Sequence, residues 1–149
     1  MEPAYLTAAA TLVVGSSISV IAYQQWVLAR HKFRLDLFDR RYKVYDATKN
    51  FASVIFAHAN FTDQDLREFN LGTMDSVFLY PKTIKDYLDE FRKRALHMRM
   101  FEKQFEHMPV GDERSKLVQD SHNELVWFTE QLLALPSLFS PYLGFESTK

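Results

Sequence analysis

Five histidines and nineteen acidic residues are the groups from which this chain could build a metal centre or an acid–base pair. The histidines, His31, His58, His97, His107 and His122, are scattered. None stands three residues after a glutamate, so the Glu-x-x-His ligand pair of di-iron helical bundles is missing. No His-Glu-x-x-His zinc helix occurs either. Paired carboxylates such as Asp89–Glu90 and Glu102–Glu106 fit a solvated helix face. Gly15, Gly72, Gly111 and Gly144 stand alone, so no glycine-rich loop can cradle a phosphate. No serine occupies a nucleophile-elbow context. The absence of cysteine removes disulfides, thiolate ligands and cysteine nucleophiles. These residues predict a protein that is not an enzyme and that carries no metal or cofactor.

Positive charge is the other reactive resource. Arg92, Lys93, Arg94 and Arg99 are interleaved with Asp89, Glu90 and Glu102, which predicts an ion-paired surface. Residues 30–149 balance eighteen bases against eighteen acids, which argues against nucleic acid as a partner. Arg41 is different. It falls between Leu37 and Val44 on an apolar stripe, where a charge must find partners. The expectation is a partly buried ion pair with an acid on the helix running from Pro81 to Met108. A third group, Arg30, Lys32 and Arg34, follows a stretch of opposite character.

That stretch, Pro3 to Ala29, holds no charged residue. Its apolar heart, Ala4 to Tyr23, matches the ~20 residues that an α-helix needs to cross a bilayer. Tyr5 near one end and Tyr23 and Trp26 near the other suit the two membrane interfaces, and Arg30, Lys32 and Arg34 suit lipid headgroups. The basic flank predicts a single pass with the N-terminus outside and the C-terminal part in the cytoplasm. Ala8, Thr11, Gly15, Ser19 and Ala22 are spaced 3, 4, 4 and 3, a stripe of small side chains along which two spans can pack. The domain reading is therefore 1–29 as a transmembrane anchor and 30–149 as a cytoplasmic helical domain.

The rest of the chain must position these groups, and its periodicity is helical throughout. Phe33, Leu37, Val44, Phe51 and Ile55 form one apolar face, broadened by Phe38, Tyr45 and Ala52. Thr62, with Asp65 three residues on, marks the start of a short helix ending near Asn70. The next runs from Pro81 to before Pro109, with Ile84, Leu88, Phe91, Ala95 and Met98 inward. A last helix starts near Asp112 and ends about Leu135, with Leu117, Val118, Ser121, Leu125, Phe128, Leu132 and Leu135 inward. The aromatic tail after it caps the bundle or rests on a membrane or partner. The expected fold is all-α: a transmembrane helix continuing into a small antiparallel bundle.

The stretches "LDLFDRRYKVYDATKNF", "FLYPKTIKDYLDEFRKRA" and "FSPYLGF" together resemble a family of small, uncharacterised bacterial proteins. Those proteins pair an N-terminal membrane helix with a helical domain carrying a Leu-Phe-Asp-Arg-Arg-aromatic-x-Val-Tyr signature. Here that signature is Leu37, Phe38, Asp39, Arg40, Arg41, Tyr42, Val44 and Tyr45. The resemblance covers most of residues 30–145 and implies a bacterial inner-membrane setting. It transfers no site.

Two functions fit these expectations. One is a membrane-anchored scaffold or interaction protein that forms a homo-oligomer through its span and its helical domain, with lipids and an unidentified protein as partners. The other is an oligomeric membrane-perturbing effector, of a defence or toxin-like kind, gated by a signal at the cytoplasmic domain.

Overall fold

A computed structural model gives the backbone of residues 2–144 and the side chains of residues 18–144 other than Phe105; these are the described residues. They form helices α1 (Glu2–His58), α2 (Asp63–Thr73), α3 (Ser76–Leu79), α4 (Lys82–Glu106) and α5 (Asp112–Leu143). No strand occurs among the described residues, so the all-α expectation holds. Among them no helix is long and apolar enough to cross a membrane. Tyr5, Ala8, Thr11 and Gly15 are described only in their backbone, as part of α1, so the calls on their side chains lie outside the described residues.

The chain divides into two compact units, Met1–Leu37 and Phe38–Lys149, and α1 runs through both. The expected boundary at 29/30 marks where charge begins in the sequence; Phe38 marks where the packed helices begin. In the first unit the apolar side chains are open: Ile18, Val20, Ile21, Tyr23, Trp26 and Leu28 are each more than half exposed. Phe33, expected on the inner face, is 68% exposed as well. Its place in the periodicity is right, but nothing among the described residues covers it.

In the second unit, Val44, Phe51, Ala52 and Ile55 of α1 enter a common core with Phe69 of α2, Phe91 of α4 and Phe128 and Phe139 of α5. Phe51 stacks on Phe69 at 4.8 Å between ring centroids, and Phe91 meets Phe128 edge-on at 4.9 Å. Offset and edge-to-face pairs of this kind add about 0.5–1.5 kcal/mol each beyond their burial. The α4 face is as the sequence predicts, with Ile84, Leu88, Phe91, Ala95 and Met98 all buried. Thr48 and Thr73, also buried, return their hydroxyls to the carbonyls of Val44 and Phe69 at 2.8 Å, so both are satisfied, whereas the buried Tyr87 hydroxyl has no partner among the described residues.

Two helix ends differ from expectation. The sequence "NLG" does not stop α2 at Asn70, because Gly72 is a packing residue and not a cap. A Cβ built there would lie 2.5 Å from the Cβ of Ala47, so only glycine lets α2 approach α1 this closely. The last helix does not end at Leu135 but passes through Pro136 and Pro141 to Leu143. Each proline removes one helical hydrogen bond. At Pro141 the loss is answered locally, since the Ser140 hydroxyl donates to the Ser137 carbonyl at 3.3 Å, in the place of the missing donor. The apolar repeat meanwhile continues past Pro136, with Leu135 and Phe139 buried and Tyr142 and Leu143 packed against the core. Burial outweighs the proline penalty. Within α5 the expected inward position Val118 is 46% exposed, and the helix starts at Asp112 as expected, with Gly111 in the N-cap position.

Gly72→Val is expected to destabilise the protein by about 1–3 kcal/mol in urea unfolding, against the helix propensity that favours it. The same change in an Ala47→Gly background should cost less. A neutral or stabilising Gly72→Val would show that the two helices do not approach this closely.

Candidate functional site

The residue that the sequence marks as out of place becomes a junction. Arg41, half-buried on α1, does not find its charge partner on α4, which corrects the expected ion pair. Its Nε donates to the Leu79 carbonyl at 2.9 Å and its Nη1 to the Tyr142 carbonyl at 3.1 Å. Leu79 is the last residue of α3, and Tyr142 lies in the last turn of α5. The last carbonyls of a helix have no intrahelical donor and carry the negative end of its dipole. One guanidinium therefore caps two helix C-termini at once. A carboxylate is not needed, because the two carbonyl ends supply the negative potential.

Aromatic rings close the junction. The Tyr80 hydroxyl donates back to the Arg41 carbonyl at 2.8 Å, and its ring lies 5.8 Å from the guanidinium carbon. Phe139 and Tyr142 pack edge-on to Tyr80 at 5.4 and 5.6 Å. Burial pushes the Tyr80 phenol above its ordinary pKa, with the Arg41 charge opposing, so the hydroxyl stays a neutral donor. The sequence offered only one signal for this arrangement, an arginine on an apolar stripe; carbonyl acceptors leave no trace in side-chain identity.

Three arginines of α4 make similar bridges. Arg92 donates to the Asn70 side chain at 2.6 Å and to Asp89 at 2.8 Å. Arg94 joins Glu90 at 2.8 Å and Glu124 of α5 at 3.1 Å, with its guanidinium 4.6 Å from the Trp127 ring centre. Arg99 pairs with Asp63 and donates to the Phe61 carbonyl at 3.1 Å. His97 lies 4.0 Å from Glu124, at the edge of the Arg94 pair.

The start of α2 is built as predicted. The Asp65 N–H donates to the Thr62 hydroxyl oxygen at 3.2 Å, and the Thr62 N–H donates to the Asp65 carboxylate at 2.7 Å. The side-chain and backbone hydrogen bonds from Thr62 hold the Asp65 carboxyl below its usual value of 3.8. Beside it, a groove of about 250 Å³ between α1 and α2 has Phe51 and Phe69 beneath and Lys43, Asp46, Asn50, Asp65 and Glu68 around it. Asp46 and Glu68 accept from Asn50 and Gln64, their neighbours at i,i+4, at 3.0 and 2.7 Å. These carboxylates serve local structure. Among the described residues no three His, Asp or Glu side chains gather where a metal ion could sit.

Three of the expected interfacial residues, Tyr23, Trp26 and Arg30, form a ladder on α1. The Tyr23 and Trp26 rings are 6.1 Å apart, and the Arg30 guanidinium lies 5.5 Å from the Trp26 ring centre. Arg30 and Lys32 are exposed and Arg34 is half-buried; Ser19 and Ala22 of the small-residue stripe are exposed. Compared with protein families, curated proteins and solved structures, the chain matches none.

Removing the Arg41 head group leaves two helix ends without donors. Arg41→Ala should cost about 3–5 kcal/mol in urea unfolding, since each hydrogen bond to a charged group contributes about 1.5–3 kcal/mol. Arg41→Lys, which keeps the charge but not the fork, should recover less than half. A wild-type midpoint for either variant contradicts the shared cap. Thr62→Ala should cost about 1 kcal/mol at neutral pH. Because the folded Asp65 pKa is depressed, part of that stability is present above pH 3.8 and lost as pH falls through the lower folded value. The gap between wild type and Thr62→Ala should narrow in that acid range; a pH-independent gap contradicts the assignment.

Proposed function

We propose that this chain is a non-enzymatic, membrane-anchored interaction module, with residues 4–23 in the bilayer of a bacterial inner membrane. The helices from Phe38 onward lie on the cytoplasmic side. One observation carries the reading: apolar side chains stand open along α1 from Ile18 to Leu28, and the first charged residue after them is Arg30. Apolar surface in water costs about 25 cal/mol per Å², and a contiguous run of it marks a surface that something covers. Lipid suits it, because the preceding residues back to Pro3 are also uncharged and the following ones are basic.

The module self-associates through the stripe Ala8, Thr11, Gly15, Ser19 and Ala22 and through its helical unit. The sharp junctions of that unit are caps and latches with no reacting group at their centre, which suits a scaffold better than a catalyst.

The chain has no native cysteine, so single cysteines report topology cleanly. In cells, the protein should remain with membranes after alkaline carbonate washing. A membrane-impermeant maleimide should label Glu2→Cys from outside and Ser137→Cys only after lysis. Gly15→Leu should reduce the oligomer mass in detergent. Release by carbonate, or labelling of Ser137→Cys in intact cells, overturns the anchoring or its direction.

A further inference from the structure

We infer that Trp26, Arg30 and Arg34 form a site for the phosphate of an anionic phospholipid. The inference rests on the membrane reading and adds a ligand to it. Three observations meet here. Tyr23, Trp26, Arg30 and Arg34 are spaced 3, 4 and 4, so they share one face of α1 within an arc of about 80°. The Arg30 guanidinium sits against the Trp26 ring, 5.5 Å from its centre. A guanidinium held by a ring through its charge keeps N–H donors for an anion, and a planar guanidinium can take a phosphate by two parallel bonds.

The third observation is a contrast in pairing. Arg92, Arg94 and Arg99 each hold a carboxylate, and Arg41 holds two carbonyls. Among the described residues, no carboxylate pairs with Arg30, Lys32 or Arg34, and the sequence offers no acid between Pro3 and Leu35. This cluster has charge to spare for an anion from outside the chain.

Depth selects lipid over a dissolved phosphate. With the Trp26 ring at the edge of the hydrocarbon, Arg30 stands one turn, about 6 Å, further out, and Arg34 about 12 Å. The polar layer of a bilayer leaflet is about 5–8 Å thick. By backbone position Arg30 thus stands within the phosphate layer and Arg34 about 4 Å beyond it, and Arg34 reaches the layer because helical side chains lean back toward the N-terminus.

The test uses full-length protein reconstituted in vesicles, with Trp26 fluorescence quenched by brominated phosphatidylglycerol or brominated phosphatidylcholine. Trp127, packed against Phe91 and Phe128, supplies an unquenched baseline. Wild type should favour the anionic lipid by about tenfold at Trp26. Arg30→Gln/Arg34→Gln should bring that ratio near one while the protein stays in the vesicles. Lys93→Gln/Lys116→Gln, with the same loss of charge, should leave it unchanged. Retained preference in the first double variant, equal loss in the second, or abolition by excess inorganic phosphate overturns the site. Failure to enter vesicles overturns the anchoring as well; entry without selection overturns this inference alone.

Discussion

The last carbonyls of a helix need donors, and in this molecule two sets of them are answered by one side chain. Arg41 ties the end of α3 and the last turn of α5 to α1, through the Leu79 and Tyr142 carbonyls. Without such a donor, those carbonyls would face aromatic rings that offer them no hydrogen to accept, at a cost of about 1–3 kcal/mol each. The arrangement accounts for two other features. It gives α5 a reason to persist through Pro136 and Pro141, since the helix must reach Tyr142 to close the junction. It also explains the tyrosine at position 80, which returns a hydrogen bond to the Arg41 carbonyl while burying its ring.

The same construction recurs with different acceptors. Arg92 lies over Phe69, Arg94 over Trp127 and Arg99 over Phe61, at 5.7, 4.6 and 4.4 Å from the ring centres. In each case the guanidinium carbon lies within 6 Å of a ring centre while its N–H groups reach a polar group on another element. A planar cation held this way loses less freedom per hydrogen bond than a lysine would. The aromatic residues, 15% of the chain, therefore do two things: they fill the core and they lie beside the arginines that hold helices together. Arg30 near Trp26 repeats the pairing of cation and ring, with no acid opposite among the described residues.

Much of this was readable from residue spacing. The buried face of α4 follows the 4-3-4-3 repeat of Ile84, Leu88, Phe91, Ala95 and Met98, because one amphipathic helix decides its own inner side. The Thr62–Asp65 box was equally plain, being local chemistry across three residues. What failed was long-range. Proline at 136 reads as a stop, and only the burial of Leu135 and Phe139 against distant helices overrides it. Gly72 reads as a terminator, and its real reason lies on Ala47, twenty-five positions away. Arg41 reads as an oddity, but its partners are main-chain oxygens that every residue carries, so no side chain names them. Phe33 sits in the repeat and yet is open, since periodicity shows a face without showing what meets it.

The membrane reading and the junction are separate claims about one helix, and α1 is the element that makes both relevant. The central claim is that this one side chain governs the ends of α3 and α5. Amide hydrogen exchange on full-length wild type and Arg41→Met tests it most directly. The account predicts faster exchange confined to residues 76–80 and 138–144, with the middle of α4 unchanged; unchanged protection in both segments, or a uniform loss across the helices, would contradict it.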